Sequence, residues 1–166
     1  MKKLLFLLMF PVLCFGQSDK LEKKINALVN NDKMEVFVNP KVKNIEIITL
    51  RVNEGRLAAL LRPHIKKTLL KKGINVLSMK AAQNRLLELE KANNGVNING
   101  SSKIINSNLI IDITVNDWNG QMEVEILDLA NDGSTLGFLN YKTGMFKPEV
   151  VGPAMILKIF KAIEEN

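Results

Sequence analysis

The chain has 166 residues, of which 46% are hydrophobic and 24% charged, with a formal net charge of +6, enough chain to bury the core of one domain. The positive excess is mild and no basic face interleaves with aromatics, which argues against a nucleic-acid partner. Cys14 is the only cysteine, so the chain cannot close a disulfide within itself.

The amino end reads as an export leader. Lys2 and Lys3 precede an apolar run from Leu4 to Leu13, then Cys14-Phe15-Gly16 and the polar Gln17-Ser18-Asp19-Lys20, the positive, apolar, small-residue order of a signal peptide. The run falls short of the roughly 20 residues that span a bilayer, and no later stretch is long enough. Cleavage between Gly16 and Gln17 predicts a periplasmic or secreted protein. Acylation of Cys14 in an outer-membrane lipoprotein is the alternative, disfavoured by Leu13 standing where a small residue belongs. Ordinary cleavage takes Cys14 away, and with it any cysteine-bound metal or thiol nucleophile. Residues 1–16 are then leader, 17–33 an N-terminal helical extension and 34–166 a single domain, since no repeat or linker divides the rest.

Leu21, Ile25, Leu28 and Val29 recur at helical spacing, predicting a short amphipathic helix over 18–31. Met34-Glu35-Val36-Phe37-Val38 reads as a strand ending at Asn39-Pro40, and the β-branched stretch 44–52 as another. From Arg56 to Lys72, Leu57, Leu60, Leu61, Ile65, Leu69 and Leu70 keep helical period, with Gly73 at the C-terminal cap. Pro63 inside this stretch predicts a kink or a helix that restarts there. Ile74–Leu77 reads as a short strand, and Ser78 caps a helix with the stripe Met79, Ala82, Leu86 and Leu89. A polar, mobile loop follows through Gly100, then one helical turn capped by Ser101 or Ser102 through Asn106. Leu109–Val115 is the most apolar strand. Met122, Val124 and Ile126 alternate with polar residues as in an antiparallel strand, Asn131-Asp132-Gly133 turns the chain, and 134–141 returns beside it. Pro153 is placed to open a closing helix striped by Met155, Ile156, Ile159, Phe160 and Ile163. The sum is an α/β (α+β) fold, one mixed sheet with helices packed on it, in the order β-α-β-α-β-β-β-α.

The succession Leu69-Leu70-Lys71-Lys72-Gly73-Ile74-Asn75-Val76-Leu77, then Leu86-Leu87-Glu88-Leu89, then Ser107-Asn108-Leu109-Ile110-Ile111-Asp112-Ile113-Thr114-Val115, resembles the small α/β domain of bacterial envelope proteins. That domain is shared by the amino-terminal domain of TolB, the curli-export lipoprotein and the lipoprotein activators of cell-wall synthases. Val124-Glu125-Ile126-Leu127-Asp128-Leu129 followed by Gly133 is similar to their hairpin. The resemblance spans roughly residues 44 to 163 and implies this fold, an envelope location and a role in contacting other proteins rather than catalysis. The chain departs from it in lacking a good lipid-attachment cysteine and the long alternating insertions of the curli exporter, so it implies no pore.

The residues themselves offer little chemistry. His64 is the only histidine, which leaves no His-only zinc site, and reads as a surface residue. Asp128, Asp132 and Gly133 match positions one, five and six of a calcium loop, but Ala130 and Leu139 occupy two ligand positions, so a plain turn is expected. No nucleophile elbow or phosphate-cradling glycine loop occurs, and no cofactor or metal is expected. Two surfaces stand out as partner contacts: the basic cluster Arg62, Lys66, Lys67 and Lys71, with Lys72, which suits an anionic membrane surface or an acidic partner, and Trp118 in the polar turn 116–120. The leading expectation is an exported, non-catalytic domain that binds another envelope protein. A small-ligand or lipid-head-group binder is the second, and a hydrolase using Asp112, Asp117 or Asp128 the third.

Overall fold

The computed structural model describes residues 18–43, 45–92, 109–128, 133–144 and 146–166. The leader with its cleavage point, Cys14, the loop and helical turn expected within 93–106, and the Asn131-Asp132 pair lie outside the described residues. A helix over 18–29 (α1) leads into β1 (Met34–Val38), β2 (Ile47–Val52), α2 (Arg56–Lys71), β3 (Asn75–Leu77), α3 (Met79–Ala92), β4 (Leu109–Val115), β5 (Gln121–Asp128), β6 (Ser134–Lys142) and α4 (Pro148–Glu164). The α/β class with one mixed sheet is as expected. The order differs by one strand, because β1 and β2 both precede α2.

The sheet runs β1-β6-β5-β4-β2-β3. β2 is parallel to both β3 and β4, while β5, β6 and β1 extend the sheet by antiparallel pairing. Side chains alternate between the two faces, and the register aligns Val36, Leu139, Val124, Ile113 and Val52 in one row. All but the half-buried Val36 are core residues. On the opposite face the next row is Phe37, Phe138, Glu125, Asp112 and Arg51. The two parallel crossovers, through α2 and α3, run in opposite directions across the sheet, so right-handed connections send the helices to opposite faces. Accordingly Thr49 and Ile110, which point away from the main core, are buried, as is Ala82 of α3.

α4 is apolar on most sides: Val150, Val151, Ala154, Met155, Ile156, Ile159, Phe160 and Ile163 are all buried. A helix needs that composition when it is the middle member of a layer. It meets α2 at Gly152, where an added Cβ would lie 3.3 Å from Ile65 Cγ1 and 3.5 Å from Leu61 Cδ1. On its other side it adjoins the end of α1, where Asn30, just past the helix, accepts a hydrogen bond from Lys161 Nζ at 3.2 Å. Val29 of α1 belongs to the main core.

Several ends obey local chemistry. Gly73, at φ +79°, closes α2: its amide donates to Leu70 O at 3.1 Å, and that of Ile74 to Leu69 O at 3.0 Å, the paired bonds of a Schellman cap. Ser78 Oγ accepts from the Ala81 amide at 3.2 Å and starts α3. Two proline expectations need correction. α2 does not restart at Pro63 but runs on through it; the Ala59 carbonyl loses its intrahelical donor to the proline, on a side of the helix where Ala59 and Pro63 are both exposed to solvent. The closing helix starts at Pro148, in its first turn, and leaves Pro153 inside. The β-branched Val150-Val151 and Gly152 disguise that first turn as non-helical.

Candidate functional site

The turn between β4 and β5 is held by a dense set of hydrogen bonds. Asn116 Oδ1 accepts from the amides of Trp118 (2.9 Å) and Asn119 (3.4 Å), and Asn119 Oδ1 accepts from the Gln121 amide at 2.9 Å. The Asn116 amide donates to Gln121 O, and the Gly120 amide to Asn116 O. Gly120 takes φ +66° with Thr143 Cγ2 3.0 Å from where its Cβ would be. Asn53, just past β2, grips the root of the turn: Val115 donates to Asn53 Oδ1 and accepts from Asn53 Nδ2, each at 3.0 Å.

Asp117 joins this turn to α2. Gly55 stands at the N-cap of that helix and has no side chain to cap it. The carboxylate of Asp117 does so from the neighbouring turn, accepting from the Arg56 amide at 2.9 Å and the Leu57 amide at 3.1 Å, where the helix dipole also favours a negative charge. A Cβ on Gly55 would come within 3.0 Å of Asp117 Oδ2, so the glycine makes room for the carboxylate. On this framework Trp118 is 99% exposed.

The basic candidates divide. Lys66, Lys67 and Lys71 share the outer face of α2 with Pro63 and Leu70, and these five residues line a shallow depression of about 470 Å³. Arg62 belongs instead to the edge of the helix, where Nη2 donates to Val52 O at 3.1 Å and ties α2 to the end of β2. Lys72 lies past the helix, paired with Glu164 at 3.1 Å and 5.0 Å from the centre of the Phe160 ring. The Trp118 turn adjoins the first turn of α2 and Lys71 is in its last, roughly 20 Å away at the rise of an α-helix. They form two surfaces, not one.

His64 is half-buried rather than on the open surface, facing α4 where its Cβ lies 3.4 Å from the place a Gly152 Cβ would take. The three aspartates weighed for hydrolysis do not converge. Asp112 pairs with Arg51 on the outer face of the sheet, Asp117 caps α2, and Asp128, fully buried, stands opposite Leu109 in the row family of the core face. Among the described residues no group of three or more His, Cys, Asp or Glu side chains could hold a metal ion, and no helix is long and apolar enough to cross a membrane.

Sequence reasoning missed a stacked aromatic pair. Phe37 and Phe138 lie across the β1–β6 ladder with ring centroids 5.9 Å apart, 54% and 42% exposed. Each was legible as a strand residue, but only the register sets them side by side. A second shallow depression, of about 320 Å³, lies where Lys24 and Leu28 of α1 meet Tyr141 and Val150.

No family model, curated protein or solved structure matches this chain.

Proposed function

We propose that this chain is an exported, non-catalytic domain of the cell envelope that works by binding another protein, with Trp118 as the anchor of the contact. The observation that carries this reading is the contrast at the β4–β5 turn: a backbone held by hydrogen bonds from Asn53, Asn116, Asn119 and Asp117 presents an indole that is 99% exposed. An exposed tryptophan contributes little to its own fold. It offers about 150–250 Å² of surface to a partner, and a pre-ordered turn leaves little conformational entropy to lose on binding. Tryptophan is among the residues on which interface energy concentrates. The leader-like amino end and the resemblance to envelope α/β domains support the location.

The test places a photoreactive benzoylphenylalanine at position 118 in living cells. A discrete adduct of higher mass is expected on illumination, with none when the same probe replaces the exposed Glu165, which lies just past α4 at the end of the molecule where Lys72 pairs with Glu164. With the adduct identified, Trp118→Ala should weaken its binding at least about tenfold, or roughly 1.4 kcal/mol, without lowering the denaturation midpoint. Absence of an adduct at 118, or identical adducts from both positions, would refute the reading.

A further inference from the structure

α2 carries Arg56, Arg62, Lys66, Lys67 and Lys71 and not one acidic residue, and the sequence is free of Asp and Glu from Gly55 through Leu87. Its inner face is spent on the core through Ala58, Leu61, Ile65 and Leu69. The outer face is not simply polar. Leu60 and Leu70 are 49% and 53% exposed, and at 100° per residue they fall with Pro63 between Lys66, Lys67 and Lys71. The depression there is walled chiefly by hydrocarbon, supplied by Pro63, Leu70 and the lysine stems. Lys66, Lys67 and Lys71 have no acidic partner among the described residues.

From this we infer that the outer face of α2 docks on an anionic phospholipid surface, with Leu60, Pro63 and Leu70 toward the acyl boundary and the ammonium groups of Lys66, Lys67 and Lys71 among the lipid phosphates. Charge complementarity selects a negative surface. The interleaved apolar side chains select lipid over an acidic protein, because an amphipathic face that buries leucine between snorkelling lysines suits the head-group boundary. An acidic polypeptide would match the lysines but leave Leu60 and Leu70 facing carboxylates. Each lysine near such a surface strengthens the attraction, which falls off within a Debye length. The inference does not depend on Trp118, whose turn lies at the other end of the helix.

The experiment places the environment-sensitive fluorescent residue dansylalanine at Leu70 in the full chain, with a control at Glu35, which points from the opposite face of the sheet. Vesicles of phosphatidylcholine mixed with phosphatidylglycerol should shift the emission at position 70 to the blue, and phosphatidylcholine alone should not. The control should stay unchanged, which separates docking by α2 from attachment through the leader. Combining Lys66→Glu, Lys67→Glu and Lys71→Glu should lower the partition coefficient by well over about a hundredfold, and about 1 M salt should abolish the shift. The milder triple change to Gln, which keeps helix propensity, should give an intermediate loss. The inference fails if vesicles leave the probe unmoved, if both vesicle types move it equally, or if the shift survives charge reversal. It fails as well if only polyglutamate produces the response, making α2 a protein-docking face, or if the shift grows with protein concentration without vesicles, making the occupant a second copy.

Discussion

Asp117 shows how much a single side chain can be asked to do. Its two oxygens accept from the first amides of a helix that begins 61 residues earlier in the chain, in place of a cap that Gly55 cannot supply. Asp117→Ala should therefore lower unfolding free energy by about 1 kcal/mol, as loss of a helix cap does, measured by urea titration. Gly55→Ala should also destabilise, because its Cβ would press on that carboxylate. Trp118→Ala, one residue away, should leave the same titration within about 0.5 kcal/mol of the parent; a larger loss would give the indole a structural role. At Gly137 an added Cβ would lie 2.7 Å from Phe37 O, backbone that cannot swing aside, so Gly137→Ala should loosen the β1–β6 pairing and lower the midpoint.

Between elements, the governing contact is that of α2 with α4. Gly152 lets the helices approach closely enough for Ile65 and Leu61 to fill the space above it. Gly152→Val should cost about 1–3 kcal/mol by overpacking, readable as a lowered melting temperature with unchanged secondary structure. The cap of α2 makes a separate demand: Gly73 sits at φ +79°, and Gly73→Ala should cost about 1–2 kcal/mol although its surroundings are open. α1 contributes Val29 to the same core as α2 and α4. If that helix folds with the domain rather than as an appendage, Val29→Ala should reduce the stability of the whole unit by about 2 kcal/mol in one cooperative transition, and a separate early transition would contradict this.

For the molecule as a whole, the arrangement separates charge by face. The outer side of α2 is basic, whereas the open side of the sheet carries Glu35, Asp112, Glu123 and Glu125 beside the stacked Phe37 and Phe138. Arg51 sits among these acids, and its pKa is raised above the ordinary arginine value, first by the hydrogen bond to Asp112 and further by the charges of Asp112 and Glu125, against the opposing effect of burial. A raised folded-state pKa contributes stability that is fully present below the unfolded value and is lost only as pH climbs through the folded one. For an arginine that window lies far into alkali. Arg51→Gln should therefore cost the same small amount at pH 6 and pH 9, under about 1 kcal/mol for so exposed a pair and less in high salt.

The periods of apolar residues determined the α/β class, the strands at Met34–Val38 and Leu109–Val115, and the helices around Leu61 and Ile159, because a half-buried strand or helix must repeat its buried side every two or every 3.6 residues. Cap chemistry at Ser78 and Gly73 was equally plain, being a contact between near neighbours in the chain. The lysines of α2 could be placed on one side of a helix by spacing alone. What spacing could not decide was which of the candidates act together: Arg62 turned to Val52, Lys72 to Glu164, His64 to α4, and the aspartates to separate duties. Asp117 as the cap of α2, Phe37 beside Phe138, and the fully exposed Trp118 all depend on strand order and register, which bring together residues far apart in the chain. Those pairings are set by the burial of the whole sheet, and no local pattern records them.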